Sequence, residues 1–259
     1  MTLDLPLIDC HTHIGRLPGA VGDVYTPDDL CYICEHEGAR FMLVSSASAT
    51  TVGQRFATEE TIVMVRLHGD RLGGMLWVNS HDPAWVEDVG RAVEHGFYGL
   101  KIHPVLDHYA VTQAALDEVF ACAQQHRWPI LTHTDHDGTP MEAACYEPLI
   151  RAYPDVVLVL AHLRWGAIPL AKRHENVYLD TTYVDARTVE IGVDALGPSK
   201  ILFGSDAAEG FDVGRPPGRV RPRRSYANLI QALRERGIPD AALEQICYRN
   251  ARALFGIDL

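Results

Sequence analysis

Residues 7–13 read Leu-Ile-Asp-Cys-His-Thr-His, a short apolar run that ends in two histidines. The apolar part predicts a β-strand, Leu7–Cys10, and seven further short runs rich in Val, Ile and Leu follow it along the chain. These further predicted strands are Phe41–Ser45, Gly74–Asn79, Tyr98–His103, Ile130–His133, Val156–His162, Val177–Thr181 and Ile201–Asp206. The runs are continuously apolar rather than alternating, which is typical of parallel strands that are buried on both faces.

Amphipathic helical segments separate these predicted strands. The clearest begins after a predicted N-cap, Thr112, and places Leu116, Val119, Phe120 and Ala123 on one face. Further predicted helices are Pro83–His95, Met141–Tyr153, Arg187–Leu196 and Asp240–Phe255. Eight strands alternating with helices predict an α/β fold, a single (β/α)8 TIM barrel over residues 1–259 with an extra C-terminal helix. An open, doubly wound sheet is the alternative, but no glycine-rich phosphate-binding motif follows any predicted strand.

The charge and hydropathy of the chain exclude several classes of protein. Asp and Glu number 34 against 23 Lys and Arg, so the net charge is −11, opposite in sign to a surface that binds nucleic acid. No apolar run approaches the roughly 20 residues that a membrane span needs. The first residues contain no basic segment followed by an apolar one, so we expect no signal peptide, and six cysteines then indicate the reducing cytoplasm. The expected partner is a small-molecule substrate, with no nucleic acid and no membrane, and a homodimer stays open.

Histidine is over-represented, with 13 residues in 259, and several histidines end predicted strands. His11 and His13 are two residues apart, so both side chains would point to the same side of the first strand. His133, His162 and Asp206 end the fifth, sixth and eighth strands, and the carboxyl ends of barrel strands meet at one face. A histidine at a strand end can simply bond a backbone group. Together, however, these imidazoles and this carboxylate predict one divalent metal ion, with Zn²⁺ first and Mn, Fe or Co as alternatives.

Six segments, in order along almost the whole chain, match the motifs of a known family. They are Ile8–Gly15, Gly99–Pro104, Pro129–Thr134, Leu160–His162, Phe203–Asp206 and Asn250–Phe255. The sequence thereby resembles the amidohydrolase superfamily of metal-dependent hydrolases, in the branch that includes aminocarboxymuconate-semialdehyde decarboxylase and related hydrolases. The resemblance implies that His11, His13, His133 and Asp206 bind a catalytic metal. It also implies that His162 either joins the metal or orients the attacking water.

Lys101 and His103 lie two residues apart on the fourth predicted strand, so both could face the mouth of the barrel. In two-metal members of the superfamily a lysine on this strand is carbamylated and bridges the ions, whereas a single metal is usual in the branch that this sequence resembles. Three interpretations of the pair stay open. The two residues bind substrate or handle protons, they bind a second metal through carbamylated Lys101, or they are structural.

The mechanism that the resemblance implies is metal-assisted attack on a carbonyl carbon. A bound divalent ion lowers the pKa of a water molecule to roughly 7, and Asp206 would accept the proton of that water and pass it on. His162 would hydrogen-bond the water or the developing oxyanion. We therefore predict a hydrolase that acts on an amide, ester or lactone of a small substrate that can carry a carboxylate. A non-oxidative metal-dependent decarboxylase of the same branch is the alternative.

Two further functions and one further segment complete the predictions. A TatD-like nuclease carries a glutamate on the fourth strand and Glu-Thr-Asp at the eighth, whereas this chain has Lys101 and Gly204–Asp206. A non-catalytic metal-binding barrel would not need every metal position filled. The stretch 210–224 holds five arginines, within 215–224, and follows the strand of Asp206. It could steer a carboxylate to the site or form a lid, because Arg binds carboxylates bidentately, or it is a solvated loop or subunit contact.

Overall fold

The apolar runs form a ring of short parallel strands. The computed structural model describes residues 4–18, 24–209, 211 and 225–259. The strands are β1 (Ile8–Arg16), β2 (Val24–Tyr25), β3 (Phe41–Ser46), β4 (Leu72–Gly74), β5 (Leu76–Trp77), β6 (Leu100–Ile102), β7 (Ile130–Thr132), β8 (Leu158–Leu160), β9 (Val177–Asp180) and β10 (Ile201–Leu202). They pair in the orders β2-β1-β3-β4 and β10-β9-β8-β7-β6-β5, and every pair is parallel except the hairpin of β1 with β2.

Backbone hydrogen bonds join these two sheets into one closed barrel. Only Met75 separates β4 from β5, and its N–H donates to the carbonyl of Val44 in β3 at 2.8 Å. At the other seam, the N–H of Cys10 in β1 donates to the carbonyl of Phe203 at 3.0 Å, and Thr12 pairs in parallel with Ala207. With β4 and β5 counted as one strand, the ring has eight strands. The predicted (β/α)8 barrel is therefore confirmed, and the open sheet is excluded.

Helices surround the ring and follow most of the predicted segments. They are α1 (Pro27–Glu37), α2 (Ser48–Thr51), α3 (Gln54–His68), α4 (Ala84–Glu94), α5 (Gln113–His126), α6 (Glu147–Ala152), α7 (Ala167–Arg173), α8 (Ala186–Leu196), α9 (Tyr226–Glu235), α10 (Asp240–Glu244) and α11 (Asn250–Phe255). Thr112 caps α5, because its side chain accepts a hydrogen bond from the N–H of Ala115. The extra C-terminal helix is α10 and α11, joined by a π-helical turn over Gln245–Arg249.

Two helical segments differ from the sequence pattern for clear physical reasons. The predicted helix Met141–Tyr153 is a 3-10 turn, Ala143–Tyr146, followed by α6, because Pro148 lacks an N–H and favours the start of a new helix. The periodicity does not predict α3, because polar side chains such as Gln54 and Thr58 occupy part of its buried face. The arginine-rich stretch 215–224 lies outside the described residues.

The core has two layers, which follow from the alternation of side chains along each strand. Leu158 and Leu160 of β8 pack outward in a cluster shared with α5, whereas Val159 packs with side chains of β1, β3 and β10 inside the ring. Phe255 of α11 joins the inner cluster. In the described part of the chain, none of the helices is long and apolar enough to cross a membrane.

The packing of Leu116 in α5 gives a test of the outer layer. Leu116 is 0% exposed, whereas Leu67 in α3 is 69% exposed. Leu116→Ala should lower the free energy of unfolding by about 2–5 kcal/mol, because it leaves a cavity in the core. The matched Leu67→Ala change should alter it by less than about 0.5 kcal/mol. Urea unfolding followed by circular dichroism measures both. Equal effects of the two substitutions would contradict the assignment of the core.

Candidate metal centre

The carboxyl ends of the strands carry the polar side chains of the site. His11 and His13 lie within β1, where the pairing register with β3 shifts between Asp9 and Thr12. His133 follows β7 directly, and Asp206 lies four residues beyond β10. The N–H of Asp206 donates to the carbonyl of His11 at 2.8 Å, so the barrel seam places the carboxylate beside the two histidines of β1.

Three ligand atoms of the types that bind divalent metals converge at this seam. His11 Nε2 lies 3.5 Å and His13 Nε2 lies 3.1 Å from Asp206 Oδ1. One candidate ligand atom from each of these three residues lies within 4.8 Å of the other two. Among the described residues, these three form the group that could hold a metal ion. Both histidines are buried, and the Asp206 side chain is 17% exposed. Asp206 is therefore the member of the group that a substrate or water can approach.

The hydrogen bonds of the two rings assign their protons. His11 Nδ1 lies 2.8 Å from Asp180 Oδ2, and His13 Nδ1 lies 3.0 Å from the hydroxyl of Ser45 and 3.3 Å from its carbonyl oxygen. Each Nδ1–H donates to oxygen, so the Nε2 lone pairs face Asp206 Oδ1. Two lone pairs and a carboxylate oxygen repel one another unless a cation lies beside them, and the Lys101 ammonium group contacts one of these atoms, His11 Nε2, at 2.8 Å. The donor set thus fits a divalent metal ion, and these three residues could hold it.

The predicted ligands His133 and His162 form a pair beside this group rather than within it. His162 Nδ1 lies 3.4 Å from the carbonyl oxygen of Thr182, which leaves Nε2 as the acceptor of a 2.8 Å hydrogen bond from His133 Nδ1. The ring centroids of His162 and His11 are 6.0 Å apart. Nε2 of His133 carries a free lone pair in this arrangement, because its Nδ1 holds the ring proton. The pair is placed to contact a ligand of the metal or to complete its coordination.

Lys101 and His103, the two residues predicted to face the site from the fourth strand, have different contacts in the structure. The His103 ring stacks on the rings of His133 and Trp77, with distances between ring centroids of 4.0 Å and 5.7 Å. Its Nδ1 accepts a hydrogen bond from the N–H of Leu106 at 3.2 Å. His103 therefore forms an aromatic wall of the site. Lys101 is fully buried, and its Nζ donates to His11 Nε2 at 2.8 Å.

Burial determines the charges of the imidazoles. Removal from water lowers the pKa of His11 and of His13, because the charged ring is poorly solvated there, so both rings are neutral at neutral pH. The same desolvation lowers the pKa of His162 to about 4. Neutral imidazole is the form that binds a metal ion.

The two charged groups of the site respond to their surroundings differently. Burial opposes ionisation of Asp206, but His11 and His13, when they are protonated in acid, outweigh it and hold the pKa of this carboxyl well below its usual range. Burial lowers the pKa of Lys101 to about 8, although the carboxylates of Asp206 and Asp180 favour its charged form. At neutral pH the site therefore combines one ionised carboxylate with one buried ammonium group.

Two residues that touch the candidate ligands were not predicted from the sequence. Asp180 ends β9 and accepts a hydrogen bond from His11 Nδ1, and the hydroxyl of Thr182 lies 3.1 Å from the same nitrogen. A signal for Asp180 was present, because it is a carboxylate at the carboxyl end of a predicted strand, as Asp206 is. Asp180 has no histidine beside it in the sequence, in contrast to the strand ends that carry His11, His133 and His162.

The fold and the site define a (β/α)8 barrel with a candidate metal centre at the carboxyl ends of its strands. The family model described as Amidohydrolase matches residues 8–257. The chain belongs to the amidohydrolase family, as the sequence motifs predict. Comparison with curated protein sequences gives no significant match.

Solved structures share this fold over nearly their whole length. 2,6-Dihydroxybenzoate decarboxylase from Rhizobium has a TM-score of 0.74 at 15% identity, covering 97% of this chain and 99% of that one. A 5-carboxyvanillate decarboxylase mutant from Novosphingobium aromaticivorans, with bound manganese, has a TM-score of 0.74 at 12% identity, with 98% of each chain covered. A probable 2-pyrone-4,6-dicarboxylic acid hydrolase from Acinetobacter baumannii has a TM-score of 0.68 at 12% identity, covering 98% of this chain and 100% of that one.

Metal analysis tests the donor set directly. Protein purified after loading with Zn²⁺ and desalting should carry about one equivalent of metal. His13→Ala should lower this sharply, because it removes one of the three converging atoms, and so should His133→Ala if His133 completes the coordination. His36→Ala is the matched control, since His36 lies on the exposed side of α1 and stacks on Tyr32. No metal in the wild type, or equal metal in His13→Ala, would contradict the site.

Proposed function

We propose that this chain is a metal-dependent decarboxylase that acts on a small carboxylated substrate. The observation that carries the carboxylated substrate is Lys101, a fully buried ammonium group 2.8 Å from His11 Nε2 that forms no ion pair with a carboxylate in the described part of the chain. The choice of decarboxylation is supported by the fold that the chain shares with two decarboxylases of carboxylated aromatic compounds. We therefore place the decarboxylase, which is the alternative predicted from the sequence, ahead of the hydrolase.

The residues that would hold the metal are His11, His13 and Asp206, with His133 and His162 beside them. A bound divalent ion would supply a Lewis acid that polarises an oxygen of the substrate. Zinc is the first expectation for nitrogen and carboxylate ligands, and Mn, Fe or Co are alternatives. We propose one ion, and a second ion would require a carbamylated Lys101.

Lys101 supports an anionic substrate on electrostatic grounds. With a cation bound to His11, its ammonium group would lie beside a second positive charge in a site removed from water, where charges interact strongly. A bound anion relieves that repulsion, and a substrate carboxylate is such an anion. The half-buried side of the site is lined by His103, His133 and Asp206, so the substrate would enter there.

Asp206 is the group that would move the proton. In decarboxylation the bond between the substrate carbon and its carboxylate breaks, CO₂ leaves, and the electron pair stays on the carbon, which must take up one proton. The ionised Asp206 Oδ1 would accept a proton from water or from a substrate hydroxyl and return it to that carbon. The His103 ring, which stacks on the buried Trp77, would pack beside an aromatic or enamine substrate.

Hydrolysis of a lactone, ester or amide is the second candidate. Asp206 favours it, because an ionised carboxylate beside neutral imidazoles can equally take the proton of an attacking water. His162 would then hydrogen-bond the water or the developing oxyanion. The fold shared with the probable 2-pyrone-4,6-dicarboxylic acid hydrolase agrees with this reaction as well.

A substrate panel separates the two reactions and tests Lys101. Metal-loaded protein should release CO₂ from hydroxybenzoates or from β-carboxylated enamines, whereas lactones, esters and amides should stay intact. Lys101→Met should lower kcat/KM by at least about tenfold for carboxylated substrates, because a charge-assisted hydrogen bond is lost. Lys172→Met is the matched control, since Lys172 is exposed on α7.

The outcomes of the panel are distinct. Hydrolysis products without CO₂ would replace the decarboxylase by the hydrolase. Release of CO₂ at unchanged kcat/KM in Lys101→Met would keep the decarboxylase but remove Lys101 as the basis for an anionic substrate. No turnover of any member by metal-loaded protein would leave both candidate reactions unsupported and would favour a binding role.

Asp206→Asn tests the proton carrier. The amide oxygen can still coordinate, so this variant should keep much of its metal, but kcat should fall by about 100-fold or more because an amide cannot accept the proton. Metal analysis and kcat are measured on the same sample. Full activity in Asp206→Asn would show that another group carries the proton.

A further inference from the structure

Asp180, the last residue of β9, is a buried carboxylate that contacts two histidines of the site. Its Oδ2 lies 2.8 Å from His11 Nδ1. Its Oδ1 accepts two backbone hydrogen bonds, from the N–H of His162 at 2.9 Å and from the N–H of Thr182 at 3.0 Å. Both oxygens of Asp180 therefore have defined partners, and those partners come from three different strand ends.

The next two residues extend this contact to the segment that carries Asp206. The hydroxyl of Thr181 donates to the carbonyl of Gly204 at 3.0 Å and accepts from the N–H of Gly204 at 3.1 Å. The carbonyl oxygen of Thr182 lies 3.4 Å from His162 Nδ1. Residues 180–182 thus touch every strand end that supplies His11, His162 or Asp206.

We propose that Asp180 is a positioning residue that keeps the proton of His11 on Nδ1, so that Nε2 keeps the lone pair that a metal would bind in place of the Lys101 ammonium group. The inference rests on the proposed metal-dependent function. A neutral imidazole carries one ring proton, and the nitrogen without it is the ligand. Asp180 accepts a hydrogen bond from Nδ1–H, and Lys101 donates one to Nε2. Both contacts therefore select the tautomer of His11 that is protonated at Nδ1.

Asp180→Asn reverses this selection with little change of shape. Two backbone N–H groups face Oδ1, so an asparagine would keep its amide oxygen at that position. Its NH₂ group would then face His11 Nδ1, where a proton donor requires Nδ1 to accept. The ring proton would move to Nε2, which requires Lys101 to lose a proton and accept the hydrogen bond that it now donates, and the proton on Nε2 would block the ligand atom. The backbone contacts to His162 and Thr182 would remain.

The test measures Zn²⁺ affinity and the tautomer of His11 separately. Metal-free protein is titrated with Zn²⁺ against a chromogenic chelator, and Asp180→Asn should bind about 10- to 100-fold more weakly than the wild type. Long-range ¹H–¹⁵N spectra of the histidine rings should show His11 protonated at Nδ1 in the metal-free wild type and at Nε2 in the variant. A purely structural role of Asp180 would leave the tautomer unchanged.

Asp88→Asn is the matched control. Asp88 is also fully buried, but it lies on α4, and its carboxylate pairs with Arg55 at 2.8 Å and not with an imidazole ring. This variant should bind Zn²⁺ as tightly as the wild type. An equal loss of affinity in Asp88→Asn would assign the effect to the loss of any buried negative charge and overturn the role of Asp180.

The other outcomes are equally decisive. Wild-type affinity in Asp180→Asn, or an Nε2–H tautomer of His11 in the wild type, overturns the proposal, and the second measurement does not require the variant to fold. Absence of Zn²⁺ binding by the wild type would refute the proposed function instead. The tautomer in metal-free protein would then still decide whether Asp180 positions His11.

Discussion

The hydrogen bonds that close the barrel are the constraint on which the rest of the structure depends. The N–H of Cys10 donates to Phe203, the N–H of His13 donates to Ala207 at 2.6 Å, and the N–H of Asp206 donates to His11. These bonds join the first strand of the ring to the segment that follows the last one. They bring two histidines from the start of the chain against a carboxylate from its last quarter. Without closure there would be no site.

The buried carboxylate of Asp9 stabilises the same seam between β1 and the segment that follows β10. Asp9 accepts hydrogen bonds from the backbone N–H groups of His11 and Ser205 and, at 2.5 Å, from the hydroxyl of Tyr226 at the start of α9. Burial raises its pKa to about 7, although these hydrogen bonds oppose the shift. Asp9 therefore links both sides of the seam and the helix that follows it. Asp180 holds the ring of His11 and Asp9 holds the backbone of the seam, so two buried acids divide the support of one site.

The sequence predicts the fold and the strand-end histidines well, because each depends on local pattern. Continuous apolar runs report burial on both faces, and a histidine at the end of such a run reports the carboxyl face of the barrel. Local pattern fails where the environment is decided by distant residues. The polar inner face of α3 and the pairing of His162 with His133 depend on contacts across the barrel. Asp180 resembles an ordinary strand end until His11 is placed beside it.

The choice between decarboxylation and hydrolysis lies outside the candidate metal ligands. His11 and His13 are buried, and a divalent ion held by them could serve an attack on a carbonyl or the loss of a carboxylate. Solved structures of decarboxylases and of a probable hydrolase share this barrel at 12–16% identity, so the fold does not separate the two reactions either. What differs between such enzymes must be the groups that meet the substrate. In this chain the proposed groups are the half-buried His103 and His133 and the buried Lys101, whose ammonium group favours a substrate that brings its own negative charge.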